Sequence, residues 1–291
     1  MTQNTNIDEL LKPTTEFIEQ YLLRVEQGRE YSKKQNVVFS CLARNISSVL
    51  MDNLSFLFDL NENIFNRVDI VVFENDSSDD TKKVLSACKN YYGNHLHILS
   101  EDYGDSWFNS SMTKDIARSN DRTINMAKYR NICKKYINEH LYNKSYAIVL
   151  DLDFQQISIN GLLNTFGHLA NDIAIGGVVG NAYEIKNRSN SSLPLLWNYD
   201  SWAFRHTWWL DKEKEIDWYD CMLWFGLWTP SPGLPIMKVN SAFGGMAIYP
   251  IHTYLSADYE GYDCEHVCFH KNLYKNPHFN LYLNPSQVMI L

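Results

Sequence analysis

Two carboxylates stand one residue apart in Asp151-Leu152-Asp153, directly after the apolar run Tyr146-Ala147-Ile148-Val149-Leu150. Side chains at i and i+2 of a strand face the same way, so this pair offers oxygen ligands on one side of a strand's carboxyl end. Hard divalent cations take such ligands and keep positions open for phosphate oxygens; a cation held there would neutralise a diphosphate leaving group. The spacing also fits a solvated turn that caps a helix, and spacing alone does not separate the two. A second polar group, Glu74-Asn75-Asp76-Ser77-Ser78-Asp79-Asp80-Thr81, follows the run 68–73. Its carboxylates could accept hydrogen bonds from a base or a ribose hydroxyl. The alternative is a capped turn, since Ser77 and Asp80 have capping-box spacing. Arg44-Asn45, after the run 37–42, is a third such group.

Cations that could meet a diphosphate are Arg122 and Arg130, eight residues apart and so roughly on one helix face; guanidinium groups suit phosphate. Pairing with nearby acids would explain them equally. The stretch Tyr259-Glu260-Gly261-Tyr262-Asp263-Cys264-Glu265-His266-Val267-Cys268-Phe269-His270 supplies acids for proton abstraction and imidazoles for ligation. Its alternating Cys264, His266, Cys268 and His270 could suggest zinc, although structural zinc normally draws ligand pairs from separated segments.

These residues need elements to hold them. Apolar positions at Phe17, Ile18, Tyr21, Leu22 and Val25 predict a helix over 14–28, closed by Gly28. Short apolar runs predict buried parallel strands at 37–42, 68–73, 95–99 and 146–150. Helices are expected over 47–60, after 81, over 122–141 and over about 158–170, with a Gly-rich strand at 173–180. The order is βαβαβ, which gives a parallel sheet with helices on both faces. Such sheets bind ligands at the carboxyl ends of their strands, where the polar groups lie. Residues 190–235 hold seven of the eight Trp with weak periodicity and read as an irregular excursion over a site. Residues 236–249 return to strand character with a Gly-Gly break.

Composition narrows the function classes. The 291 residues carry a formal charge of −8 without any Lys/Arg run, so nucleic acid is not an expected partner. No segment approaches the roughly 20 apolar residues of a membrane helix. The N-terminal stretch lacks the basic and apolar regions of a secretory signal. The six scattered Cys read as reduced thiols, so the expected location is cytoplasmic, with peripheral contact at a membrane surface left open.

Taken in order, Val38-Phe39-Ser40-Cys41-Leu42-Ala43-Arg44-Asn45, the 74–81 group, Arg122-Thr123-Ile124-Asn125-Met126-Ala127-Lys128-Tyr129-Arg130-Asn131 and Asp151-Leu152-Asp153 resemble a GT-A glycosyltransferase. More narrowly they are similar to the fungal capsule-associated α-mannosyltransferases and their bacterial and viral relatives. Tyr199-Asp200-Ser201-Trp202-Ala203-Phe204-Arg205 and Ser241-Ala242-Phe243-Gly244-Gly245-Met246-Ala247-Ile248-Tyr249 extend the resemblance, which runs from about 37 to 285. It implies a helical lead-in over 1–35 and a single GT-A domain over 36–291. It implies that Asp151 and Asp153 form the DxD pair, with Asp153 the more direct Mn²⁺ or Mg²⁺ ligand and His270, or else His266, completing the metal site. Glu74 and Asp76 would hold base and ribose, with Arg44 at the same edge. Arg122 and Arg130 would lie near the diphosphate, and Asp200, Asp263 and Glu265 on the sugar and acceptor side. The reaction implied is transfer of a hexose from a GDP- or UDP-sugar, GDP-mannose in that family and with retention, to a hydroxyl of a glycan or glycolipid. If the anomeric centre inverts, Asp263 or Glu265 is the base. Two rivals stand: a haloacid-dehalogenase-type phosphohydrolase, whose motif would place Thr or Val where Gln155 stands, and a catalytically inactive sugar-binding module.

Overall fold

Residues 12–104, 120–186, 195–206 and 226–291 are described by a computed structural model. In chain order they form α1 (Ile18–Ser32), β1 (Asn36–Ala43), α2 (Ser47–Asn63), β2 (Arg67–Glu74), α3 (Thr81–Tyr92), β3 (Leu96–Ser100), α4 (Asn120–His140), β4 (Tyr146–Asp151), β5 (Gln156–Ile157) and α5 (Ile159–Asn171). Then follow β6 (Gly177–Lys186), β7 (Leu195–Asn198), β8 (Met237–Val239), β9 (Met246–Pro250), α6 (Ile251–Leu255), α7 (Glu265–Leu273) and β10 (Leu281–Ile290). The class is α/β with mostly parallel strands, as the βαβαβ pattern predicts. The described residues divide into two units: those within 12–32, 154–247 and 278–291 form one, and those within 33–153 and 248–277 the other.

The unit built on residues 33–153 carries four parallel strands in the order β3-β2-β1-β4. Val37, Val38, Phe39, Cys41, Ile70, Val71, Val72, Ala147, Ile148 and Leu150 are buried. Strands covered on both faces read as unbroken apolar runs, which is why their positions follow from sequence. Helix α3 departs from the expected capping: Ser77 is not its cap. Ser77 Oγ accepts the Asn45 N–H at 3.1 Å, while Asp79 Oδ1 accepts the Thr81 N–H at 3.0 Å, so the helix begins at Thr81.

At the amino-terminal end of this sheet Asp69 is fully buried. Lys144 Nζ bonds its Oδ2, Arg67 Nε lies at 2.9 Å, and His95 and His97 stand 3.4 and 3.7 Å from Oδ1. Burial alone would raise this carboxyl; His97, Arg67 and Lys144 outweigh it and hold Asp69 well below the ordinary carboxylate range.

In the other unit, β10 runs parallel to β6 and antiparallel to β5 and β8, and β7 pairs antiparallel with β6. The β10–β6 register shifts between Leu283 and Val288, at Pro285, a residue that strands tolerate at such irregularities. Several buried polar side chains around this shift bond one another. Asn284 donates to Asn164 and Thr165, Thr165 donates to Gln287, and Gln287 donates to the Met246 carbonyl. Between β8 and β9, Gly244 and Gly245 take φ of 56° and 69°, the break expected from their pairing in sequence.

Gly28 does not close α1; it lies inside the helix. A Cβ there would stand 1.8 Å from the Leu163 carbonyl oxygen of α5, and one on Gly167 would stand 2.0 Å from the Arg24 carbonyl oxygen of α1. The two glycines let α1 and α5 touch backbone to backbone. Ser158 caps α5 by accepting the Gly161 N–H at 3.0 Å.

No disulfide joins the described cysteines, and Cys221 lies outside the described residues. Of the Trp-rich stretch, Trp208, Trp209, Trp218 and Trp224 also lie outside them. Among the described residues no helix is long and apolar enough to cross a membrane.

Two outcomes are expected in urea unfolding. Gly28→Ala should lose about 1–3 kcal/mol, the range for overpacking; unchanged stability would mean that α1 is not seated on α5. Asp69→Asn should lose about 3–5 kcal/mol at neutral pH, as breaking a buried pair does. Because the native Asp69 pKa is depressed, its contribution is complete above the unfolded-chain value of about 4 and fades as pH falls below it. Wild-type stability should therefore drop more steeply than that of the variant below about pH 4.

Candidate functional site

The strand register sets one edge. Ala43 at the end of β1 lies opposite Glu74 at the end of β2, and Leu42 lies opposite Asp151 at the end of β4. With strands about 4.8 Å apart, Glu74 and Asp151 flank the end of β1 at a separation of roughly 10 Å. Arg44 enters the loop between them. Sequence reasoning placed all three at strand ends; the register sets Glu74 and Asp151 within one residue of each other along the sheet, with Arg44 just past the end of β1.

The loops after β1 and β2 are laced together. Asn45 Oδ1 accepts the Ser78 N–H at 2.8 Å, the Ile46 N–H donates to Thr81 Oγ1 at 3.0 Å, and the Ser47 N–H donates to Asp79 Oδ2 at 3.0 Å. Asn45 and Asp76 hold φ of 52° and 50°, the left-handed region that side chains rarely take and that Asn and Asp tolerate best. Strain of this kind collects at functional loops. Glu74 is buried; its oxygens accept the Ser77 N–H at 3.0 Å and the Ser100 hydroxyl at 2.5 Å. Asp76 accepts the Gly104 N–H at 2.8 Å and the Asn75 amide at 2.9 Å. Burial raises the Asp76 pKa, but these bonds, the Tyr103 backbone and the charge of Arg44 lower it overall. Glu74 and Asp76 thus shape the loops directly. Beside them Phe73, Tyr129 and Tyr103 form a triangular cluster, with ring centroids 5.1, 5.8 and 6.4 Å apart; Lys128 Nζ stands 3.4 Å from the Tyr103 ring centroid, and Asn75 donates to the Tyr129 hydroxyl at 3.3 Å.

Arg130 occupies a different place from Arg44. It is 4% exposed; its Nε donates to Glu265 Oε1 at 3.0 Å and its Nη2 stands 3.5 Å from Asp151 Oδ1. Burial acts against its charge, but Glu265 and Asp151 outweigh that and keep it protonated. Arg130 therefore braces Asp151 from inside the protein, and its eight-residue spacing from Arg122 gave no sign of this. Asn53 was missed. It sits on the apolar face of α2 with Leu50, Leu54 and Leu57, and its Nδ2 donates to the Leu152 carbonyl at 2.7 Å. A lone amide on an otherwise apolar helix face was the available signal.

Asp151 is 24% exposed at its side chain, and Asp153 is exposed, yet surrounding protein raises the Asp153 carboxyl above its ordinary pKa. Together with Arg130 and Glu265 they leave two net negative charges, the complement of one divalent cation. Among the described residues no group of three or more His, Cys, Asp or Glu is arranged to hold a metal. Strand β4 ends at Asp151 and Asp153 stands in the turn beyond it, so strand alternation does not set the two side by side; two exposed or part-exposed carboxylates are the ligand type that Mg²⁺ or Mn²⁺ takes together with phosphate oxygens.

His270 makes no third ligand here. Its Nε2 lies 2.7 Å from the Tyr249 hydroxyl, and burial pushes its pKa down to about 3. His266 is likewise buried and held well below its usual value. Both lie on α7, where residues four apart share a face: the His266 and His270 rings stand 6.4 Å apart, while Cys264, just before the helix, and Cys268 fall on another side, so the four do not converge. Glu265 is buried and occupied by Arg130, leaving two reachable acids in that stretch: Asp263, part exposed and accepting the Cys264 N–H at 2.7 Å, and Glu260, exposed and accepting the Asn272 amide at 3.1 Å. Arg122 is part exposed on the first turn of α4. Asp200, in the other unit, accepts the backbone N–H groups of Ala203 and Gly244 at 3.3 and 3.1 Å, so it fixes the Gly244-Gly245 turn.

No family model matches this chain, and no curated protein does. Among solved structures its fold is similar to that of GalNAc-T7 crystallised with UDP, GalNAc and Mn²⁺, at 12% identity and a TM-score of 0.54 over 88% of this chain and 44% of that one. Also similar are mannosyltransferase PcManGT from Pyrobaculum calidifontis in complex with GDP-Man and Mn²⁺ (11%, 0.49, 96% and 66%) and S. aureus TarS 1-349 (12%, 0.47, 87% and 59%). This chain thus spans between 44% and 66% of the length of these three. The likeness to GalNAc-T7 is one of fold.

The brace on Asp151 makes a separable claim. Glu265→Gln should cost about 3–5 kcal/mol, because it leaves a buried guanidinium short of a counter-charge; the double replacement Arg130→Met with Glu265→Leu should recover most of that. Calorimetric unfolding of the three proteins checks it, and equal stability of all three would show that the pair is not sealed from solvent.

Proposed function

We propose that this chain is a divalent-metal-dependent glycosyltransferase that moves a hexose from a nucleotide-sugar to a hydroxyl of a glycan or glycolipid, as in polysaccharide biosynthesis. The observation that carries this reading is that the parallel strands β1, β2 and β4 end within a residue of one another, with Glu74 opposite Ala43 and Asp151 opposite Leu42, and that Arg44 and Asp153 follow just beyond. Ligands of parallel α/β sheets sit outside such carboxyl ends. The fold likeness to GalNAc-T7 supports the same reading, and the motifs shared with the fungal capsule-associated family favour GDP-mannose as donor and retention as outcome.

In this reading Asp151 and Asp153 hold Mn²⁺ or Mg²⁺, which when bound neutralises the departing diphosphate. Arg44 and Arg122 add positive charge near the phosphates. The laced loops of Asn45 and Asp76 receive the nucleoside. The bond from the anomeric carbon to the phosphate oxygen breaks, the acceptor oxygen bonds that carbon, and the hydroxyl proton leaves with the diphosphate. If the centre inverts, Asp263 takes that proton, since Glu265 is bound to Arg130.

Thermal-shift screening against GDP, UDP, CMP and dTDP sugars with Mn²⁺ tests the donor class. At least one should raise Tm, and only with metal present. Asp153→Ala should remove both that shift and the slow release of GDP or UDP while leaving the metal-free Tm unchanged. Release of phosphate from a simple phosphoester, with no response to any nucleotide-sugar, would favour the phosphohydrolase instead.

A further inference from the structure

A second cavity opens at the opposite end of the same strands. It has a volume of about 400 Å³ and is lined by Ser55, Phe58, Asp59, Tyr91, Tyr92 and His95 among others. Val68, near the start of β2, is at its floor. Glu74 closes β2 six residues on, so the two ends stand roughly 20 Å apart at about 3.3 Å per residue. The cavity is thus remote from the carboxylate edge.

Its chemistry is specific. Phe58 and Tyr92 are stacked, with centroids 3.9 Å apart and planes 17° from parallel, and Tyr91 meets Tyr92 at 85° with centroids 4.8 Å apart. The result is an aromatic corner whose outer ring, Tyr91, is 83% exposed. Polar groups surround it: Asp59 and Asn63 are exposed, and Ser55 is part exposed. His95 is fixed from beneath, its Nδ1 lying 3.4 Å from the buried Asp69, so Nε2 is the ring atom left to face outward.

The cavity sits where α2 and α3 end, and helix C-termini carry partial negative charge. With the Asp59 carboxylate, this disfavours phosphates and other anions. Positive charge is already supplied at the end of α3 by Lys89, whose Nζ donates to the carbonyls of Gly93 and Leu96 at 2.9 and 2.6 Å. What remains unmet is a neutral ligand with many hydroxyl donors and one apolar face. A pyranose ring has both. Its C–H groups suit the negative face of an aromatic ring, and its hydroxyls suit carboxylate, amide and imidazole acceptors.

We propose that this cavity is a second saccharide-binding site, taking a neutral sugar unit of a glycan against Tyr91 with Asp59 and His95 as hydroxyl partners. It goes beyond the transferase reading and does not require it. A glycan held here and long enough to reach the other end of the strands would be presented at raised effective concentration.

Native electrophoresis through gels containing dissolved mannan or dextran tests the site. The wild-type protein should be retarded by at least one polysaccharide. Tyr91→Ala, a change at an exposed ring, should raise the apparent dissociation constant at least tenfold, and Asp59→Asn should weaken it as well. Both variants should keep the wild-type Tm and the wild-type response to Mn²⁺ with nucleotide-sugar. If neither polysaccharide retards the wild type, or if both variants remain retarded as strongly as the wild type, the proposal is overturned. A failure of the nucleotide-sugar response in all three proteins would count against the transferase reading alone.

Discussion

A guanidinium enclosed between two carboxylates sets the terms for the rest of this molecule. Arg130 on α4 keeps its charge but is taken out of water, and Glu265 of α7 and Asp151 of β4 face it and offset that cost. Desolvating such a group costs several kcal/mol unless its partners are close and well oriented. The requirement therefore binds two helices and a strand end in one arrangement. Asp151 inherits that rigidity, and the Asn53 amide fixes the next peptide in turn. The acidic edge is an extension of the core, with its position decided by buried electrostatics.

The neighbouring loops follow a related logic. Asn45 and Asp76 hold backbone conformations that cost free energy, and the lacing between residues 45–47 and 77–81 offsets it. A ligand arriving there meets groups already in place, which lowers the ordering cost of binding. A fold likeness at 12% identity is compatible with this picture, because cores tolerate extensive substitution when volume and patterning are kept.

Much of the sheet was legible in sequence for a simple reason. Strands buried on both faces tolerate almost no polar residue, so 37–42, 68–73 and 146–150 stand out as apolar runs, and the polar groups after them mark the ligand edge. Signals that depend on a partner were not legible. Gly28 looked like a helix stop because its true cause, the carbonyl of Leu163, is 135 positions away in the chain. Ser77 looked like a cap because nothing local reveals that Asn45 claims its hydroxyl. The eight-residue spacing of Arg122 and Arg130 could not tell an outer cation from an interior one, since helix periodicity fixes a face but not what lies against it. The alternating Cys and His of 264–270 suggested convergence only if the segment were extended, and it is helical.

The bulged strand β10 has a consequence for biogenesis. It pairs with β5, β6 and β8, so the sheet of its unit cannot close until residues 281–290 emerge from the ribosome. The four-strand unit needs nothing beyond residue 277 and can assemble earlier during synthesis. Until then β6 waits with an open hydrogen-bonding edge, the kind of exposed template on which nascent chains stick to one another, and the interval before β10 arrives is when a chaperone would matter most.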